Sequence, residues 1–338
     1  MVTIRDVAQR AGVAVSTVSH ALSGKRPVNQ ETRARILAAI EELGYHPNHK
    51  AQSLVTGQAR TIGILFPMES SGSGILNMTQ LEMIIASSTV AQANGYSLQL
   101  YTQGDDESTL KRLCRLCDGL LVSMVRLHDE RVDYLVKQHY PFVLLGHPMK
   151  ADDVVWVDTD FADMIMQQLT HLVELGHRNI IFLDRPSRLL ERELGYTVWA
   201  RQGYLNACET LNIRPLIYTC ELSIEDGRQA MHEILDQYPL VTALAAFNDT
   251  AAVGTYYALL ERGKEIPRDF SIITFTTRGY LQTTVPNMTA MLNTGPMVSK
   301  TATETLLNML KEEPLAFNQM LIKSSLIPGQ TTGPVRPQ

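Results

Sequence analysis

From Thr61 onward the chain repeats one pattern, a short apolar run followed by an amphipathic stretch of helical period. The runs fall at 61–66, 97–101, 119–122, 142–145, 154–157, 179–183, 216–220, 243–247 and 271–275. Several of the stretches between them stop at a glycine, as in Asn94-Gly95, Leu175-Gly176 and Arg262-Gly263, where a left-handed residue can close a helix. Alternation of this kind buries its apolar surface as parallel strands with helices on both faces. Residues 61–338 are too many for one core. Two lobes of doubly wound sheet are therefore expected, with ligand in the crevice at the carboxyl ends of the strands.

The first sixty residues are built differently. Thr3 caps a helix whose third position is Asp6, and Ile4, Val7, Ala8 and Ala11 form one apolar stripe. Gly12-Val13 turns the chain into a second helix, from about Val15 to Leu22, with Val18, Ala21 and Leu22 inward. Its other face shows Val15, Ser16, Thr17, Ser19 and His20, which are small, mostly polar and nearly uncharged. A solvated face would carry Lys and Glu; hydroxyls and one imidazole suit base edges in a major groove. Asn29 caps a third helix with Ile36, Leu37, Ile40 and Leu43 inside, ended by Gly44. The eight-residue segment Asn48–Val55 that follows is too short to hold a helix alone in water.

Charge divides at the same place. Residues 1–60 hold eight bases and four acids, a balance of +4, whereas the whole chain carries −5, so the remainder carries −9. A basic head on an acidic body is the footprint of a nucleic-acid module joined to a module with another task. No apolar run approaches the roughly 20 residues of a membrane span, and the N-terminus lacks the apolar core of a secretory signal. Four cysteines, Cys114, Cys117, Cys208 and Cys220, are too few for a disulfide framework. The expected location is the cytosol.

The head carries Thr3-Ile4-Arg5-Asp6-Val7-Ala8, Ala11-Gly12-Val13, Ser16-Thr17-Val18-Ser19-His20-Ala21-Leu22, Glu31-Thr32-Arg33, Leu43-Gly44-Tyr45-His46-Pro47-Asn48 and Ala51-Gln52-Ser53-Leu54 in gapless order. This closely resembles the headpiece of the lactose/galactose-repressor (LacI/GalR) family. The resemblance implies a helix-turn-helix domain over 1–57 with a hinge helix at about 47–56, acting as a homodimer on a palindromic double-stranded operator. It implies that Val15, Ser16 and His20 read bases and that Leu54 is a wedge in the minor groove. Thr3, Thr17, Ser19, Arg26, Asn29, Tyr45, Asn48, Lys50, Gln52 and Ser53 complete the expected DNA-binding set. Two positions depart from the family: Ala14 stands where a capping Ser is usual, and Gln52 where the hinge usually has Arg, with Lys50 able to compensate in part.

The body resembles the effector domain of the same family and, through it, periplasmic sugar-binding proteins. The markers are Thr61-Ile62-Gly63-Ile64, Asp118-Gly119-Leu120-Leu121, Leu175-Gly176-His177-Arg178-Asn179-Ile180, Asn248-Asp249 and Ile266-Pro267-Arg268-Asp269-Phe270-Ser271. The implied fold class is α/β: an all-α helix-turn-helix headpiece plus a two-lobed, periplasmic-binding-protein-like body of doubly wound parallel sheets. The implied N-lobe spans about 61–160 and 291–321, and the C-lobe about 161–290 and 322–338. The tail has no heptads, so a tetramerising helix is not expected. The regulator is expected to be a repressor of a catabolic operon. Its effector, a sugar or sugar derivative, binds between the lobes and changes operator affinity.

Asp158 and Asn248 match the family's ligand positions, and Asn293 is a further candidate. Three anchors are absent: Ala200 replaces an Arg, Leu222 a stacking aromatic and Thr276 an Asp. Trp199, Arg201, Thr276 and Arg278 are the residues that could rebuild the site, and Ser70, Ser71 and Ser73 of the Gly-rich loop are expected to line it. A nucleoside or purine effector is the alternative, and a stand-alone solute-binding protein a more remote one. The single Cys114-x-x-Cys117 lacks a second pair, and His128, His139, His147, His171 and His177 read as surface or turn residues. Methionines such as Met83, Met164, Met166 and Met231 read as core filler. No catalytic motif stands in the context it needs; the reading includes no enzyme activity, no cofactor and no metal.

Overall fold

The computed structural model describes residues 2–23, 26–45, 59–67, 77–103, 106–150, 153–276, 285 and 287–336. They form two compact units, Met1–Arg60 and Thr61–Gln338. The hinge positions Asn48, Lys50, Gln52, Ser53 and Leu54, the loop positions Ser70, Ser71 and Ser73, and Arg278 lie outside the described residues.

In the first unit α1 (Ile4–Ala11), α2 (Val15–Ser23) and α3 (Gln30–Leu43) surround a small core of Val7, Ala8, Ala11, Val18, Ile36, Ala39 and Tyr45. The start of α1 is fixed by Asp6, whose Oδ2 accepts the Thr3 backbone N–H at 2.7 Å and the Thr3 hydroxyl at 2.8 Å. Those bonds, the backbone one foremost, hold the Asp6 carboxyl below its usual range. Gly12 and Gly44 close α1 and α3 in the left-handed region, at φ +68° and +58°, where a Cβ would be strained. Leu37 does not join the core; it is 53% exposed, because Ile36, Ala39, Ile40 and Leu43 already define the inward face and residue 37 lies about 100° round the helix. The Ala14 carbonyl accepts the N–H groups of Thr17 and Val18, so a residue without a side-chain acceptor caps α2.

In the second unit the described strands form two six-stranded sheets. The first runs β11 (Gln319–Ile322), β5 (Trp156–Thr159), β4 (Phe142–Leu145), β3 (Gly119–Val122), β1 (Thr61–Leu65), β2 (Ser97–Tyr101), every pair parallel. The second runs β12 (Leu326–Ile327), β10 (Thr289–Leu292), β9 (Ser271–Thr276), β8 (Ala243–Ala246), β6 (Ile180–Asp184), β7 (Ile217–Thr219), parallel except for β12 against β10. Central strands β3, β4, β6, β8 and β9 are buried along their whole length, as strands covered on both faces must be. The fifth run of the sequence is displaced: Val154 packs into the core ahead of the strand, and pairing starts at Trp156. The described chain passes between the sheets three times: after β5, between β10 and the helix Gly295–Leu310, and between β11 and β12. That helix packs on β3, β4 and β5 beside the helix Met78–Ala93. No described helix is long and apolar enough to cross a membrane.

On the second sheet the helices Ile224–Gln237 and Asp249–Glu261 touch backbone to backbone. A Cβ on Gly254 would fall inside the Ile224 carbonyl, and one on Gly227 inside the Ala251 carbonyl. Overpacking at such a crossing costs about 1–3 kcal/mol or more. Gly254→Ala is expected to destabilise the body by about 3 kcal/mol, measured by urea unfolding; an unchanged midpoint would show that the crossing relaxes freely.

Candidate functional site

On the head, the face of α2 away from the core presents Val15, 41% exposed, with Ser16 exposed and Thr17, Ser19 and His20 half-exposed. Arg26 is exposed in the turn after α2. Thr3 is exposed and bonded to Asp6. Asn29 is the cap of α3, its Oδ1 accepting the Glu31 N–H at 3.0 Å, so its amide N–H remains available to a phosphate. Tyr45 is different: its side chain is buried in the head core, and packing rather than ring exposure accounts for its place there.

In the body a pocket opens where the carboxyl ends of both sheets face each other. Phe66 follows β1, Ser123 and Met124 follow β3, and Asp158 lies in β5; Arg185 follows β6, Asn248 and Asp249 follow β8, and Asn293 follows β10. Asn77, Thr79 and Gln80 enter from the start of the helix Met78–Ala93. Arg185 is held by its Nε donating to the Phe247 carbonyl at 3.0 Å. Its guanidinium carbon lies 5.2, 5.0 and 5.7 Å from the ring centres of Tyr196, Phe247 and Phe275, a range in which cation–π attraction operates. Burial pushes the Asp249 carboxyl upward, and the charge of Arg185 pulls against it. Asn293 bridges the two lobes, donating to Thr79 Oγ1 at 2.7 Å and accepting the Gly295 N–H at 2.8 Å. Asn248 caps the helix Asp249–Glu261 through the Ala251 N–H at 3.1 Å and donates to the Glu221 carbonyl at 3.2 Å.

Asp158, Leu222, Asn248 and Asn293 thus stand in the pocket wall. Trp199, Arg201 and Thr276 do not. Ala200, Tyr204 and Ala207 give the inward face of the helix Gly195–Thr210, which turns the flanking residues 199 and 201 elsewhere. Trp199 stacks on His147, Arg201 grips Asp184 with Nε at 2.7 Å and Nη2 at 2.6 Å, and Thr276 is wholly buried in β9. Three histidines also depart from the surface reading. His171 is half-buried in the helix Phe161–Glu174, its Nε2 2.9 Å from Thr332 Oγ1. His177 is buried, bonded to Thr242, Ser271 and the Gly333 carbonyl, and His147 sits half-buried against Asp158. Arg185 and Asp249 were missed, although each lies two residues beyond the end of an apolar run, where such sites gather. Burial pushes the Cys114 thiol up to about 11 and Cys117 upward too, which keeps both protonated near neutrality. Among the described residues no three His, Cys, Asp or Glu side chains cluster as a metal set. Arg201→Ala leaves the fully buried Asp184 without its cation and is expected to cost about 3–5 kcal/mol of stability, read by thermal unfolding; a wild-type melting temperature would refute a structural role for the pair.

Residues 3–48 match the family model of bacterial regulatory proteins, lacI family, and residues 169–332 that of the periplasmic binding protein-like domain. The transcriptional repressor PurR of Serratia proteamaculans is 33% identical over 293 residues, 81% of this chain and 80% of its own. The transcriptional regulator AglR of Rhizobium meliloti is 29% identical over 278 residues, 80% of this chain and 77% of its own. The fold matches the crystal structure of the lac repressor dimer bound to operator and the anti-inducer ONPF with a TM-score of 0.81, at 22% identity and over 98% of this chain and 99% of that one. With its head and body both matched and 33% identity to a repressor over about four fifths of each chain, the chain belongs to the lacI family of bacterial regulatory proteins and is a DNA-binding transcriptional regulator, not an enzyme.

Proposed function

We propose that the protein is a homodimeric repressor of the bacterial cytoplasm that binds a palindromic operator and responds to a carbohydrate held in the pocket between its two sheets. The observation that carries the effector class is the charge balance of that pocket. Arg185 shares the pocket with two carboxyls, Asp158 and Asp249, and a set of amides and hydroxyls, with Phe247, Phe275 and Tyr196 as walls. A cation offset by carboxyls leaves little net field to draw an anion, whereas donors and acceptors over aromatic faces suit a neutral polyhydroxylated ring. The aromatic walls also favour a second reading, a flat nucleoside or purine stacked beside Arg185. Either ligand would act through its different affinity for two arrangements of the lobes. In the head, Val15, Ser16 and His20 are the proposed base readers and Leu54 the central wedge.

Two measurements separate these readings. In thermal unfolding against neutral sugars, sugar phosphates, sugar acids, nucleosides and purines, an effector present at about 100 times its Kd adds about 2.7 kcal/mol. A neutral sugar is expected to give that shift and Arg185→Gln to lose it; a shift with purines or nucleosides alone refutes the carbohydrate assignment. In selection of operator sequences from a random pool, His20→Ala is expected to change preference at one base pair by about 1–3 kcal/mol. Equal weakening on every sequence would remove His20 from base reading.

A further inference from the structure

The chain has two tryptophans, and both lie against one histidine. The His147 ring stacks on Trp156 with centroids 4.7 Å apart and planes 23° from parallel, and on Trp199 at 4.7 Å and 6°. Trp156 belongs to β5 of the first sheet, whereas Trp199 belongs to the helix Gly195–Thr210, which packs with the second. Trp199 Nε1 also donates to the His147 carbonyl at 3.1 Å. At the edge of the ring, Nδ1 meets Asp158 Oδ2 at 2.8 Å, and Asp158 is a wall of the pocket. Beside this stack the lobes are joined by main chain: the Gly195 N–H donates to the Val125 carbonyl at 2.8 Å and the Leu127 N–H to the Glu193 carbonyl at 2.9 Å.

We propose that His147 is a positioning residue that ties the pocket carboxylate Asp158 to closure of the two lobes, because the same imidazole holds Asp158 on its edge and Trp199 on its face. The inference rests on the pocket being the effector site. Of the groups bonded to or stacked on the ring, Asp158 carries charge; Trp156 from β5, Trp199 from the second lobe, and the adjoining Gly146, Val125 and Gly195 carry none. Burial raises the Asp158 carboxyl and the imidazole beside it pulls against that rise. A ligand hydroxyl that donates to Asp158 competes with His147 for the same carboxylate and is felt, through the ring, at Trp199.

Both tryptophans report on this ring directly, because it covers a face of each indole. In the full-length protein at one fixed pH, His147→Ala is expected to shift tryptophan emission to longer wavelength, and Asp158→Asn, which weakens the hold on Nδ1, to shift it less. A wild-type spectrum in His147→Ala overturns the proposed stack; a wild-type spectrum in Asp158→Asn overturns its link to the pocket. Amide hydrogen exchange tests closure: His147→Gln is expected to speed exchange at Gly195 and Leu127 about tenfold while β8 keeps its protection. Wild-type exchange at Gly195 and Leu127 would overturn the lobe-closing role. None of these measurements uses a sugar, so their outcome is independent of the effector panel.

Discussion

The central strands of the body are buried on both faces, and the placement of its three buried strand-end carboxyls follows from that. Ile62, Ile64, Leu120, Leu121, Val143, Leu144, Ile181 and Leu244 are fully enclosed, so charge is displaced to the ends of the strands. Asp158 sits at the end of β5, Asp184 at the end of β6, and Asp249 just beyond β8. Each carboxylate faces a nitrogen base or cation: His147, Arg201 and Arg185 respectively. A buried charge without such a partner would be costly. The partners differ in consequence. Arg201 completes a structural pair, Arg185 lines the pocket, and His147 lies at the contact between the lobes.

The loop after β3 shows how such pairing shapes a site. Arg131 is almost wholly buried and is held by Asp129 through two bonds, Nε to Oδ1 at 2.8 Å and Nη2 to Oδ2 at 2.6 Å. The same guanidinium donates to the carbonyls of Ser123 and Met124, both pocket residues. Asp129 in turn accepts the Arg126 N–H. One ion pair therefore fixes a loop that is pocket wall at one end and lobe contact at the other.

The head was readable because its signals are local: a cap at Thr3, glycines at 12 and 44, and a stripe of period 3.6. The error there, Leu37, lies next to the stripe, where one residue of angular drift decides burial. In the body the central strands were legible from their apolar runs. Strands β10, β11 and β12 were not, being two to four residues long and defined by partners far away in sequence. The pocket was half legible. Asp158 and Asn248 could be placed because they match the family's ligand positions, with Asn293 as a further candidate, and all three line the pocket. Trp199 and Arg201 were misplaced because closeness in sequence to the vacant position at Ala200 does not reveal which way a helix turns, and that orientation was set by Ala200 and Tyr204 packing inward.

The three passages of the chain between the sheets have a consequence for how the protein comes to be folded. The first sheet is not finished when β5 has been made. Its edge strand β11 and the covering helix Gly295–Leu310 are encoded after the whole second sheet except β12. A chain emerging from the ribosome therefore exposes one open edge and one bare face of its first lobe until nearly the last residues appear. The order of synthesis cannot be the order of completion, and the two lobes must consolidate together. Folding dominated by such distant pairings is slow and leaves apolar surface uncovered for longer, so residues 295–322 act on the stability of residues 61–159.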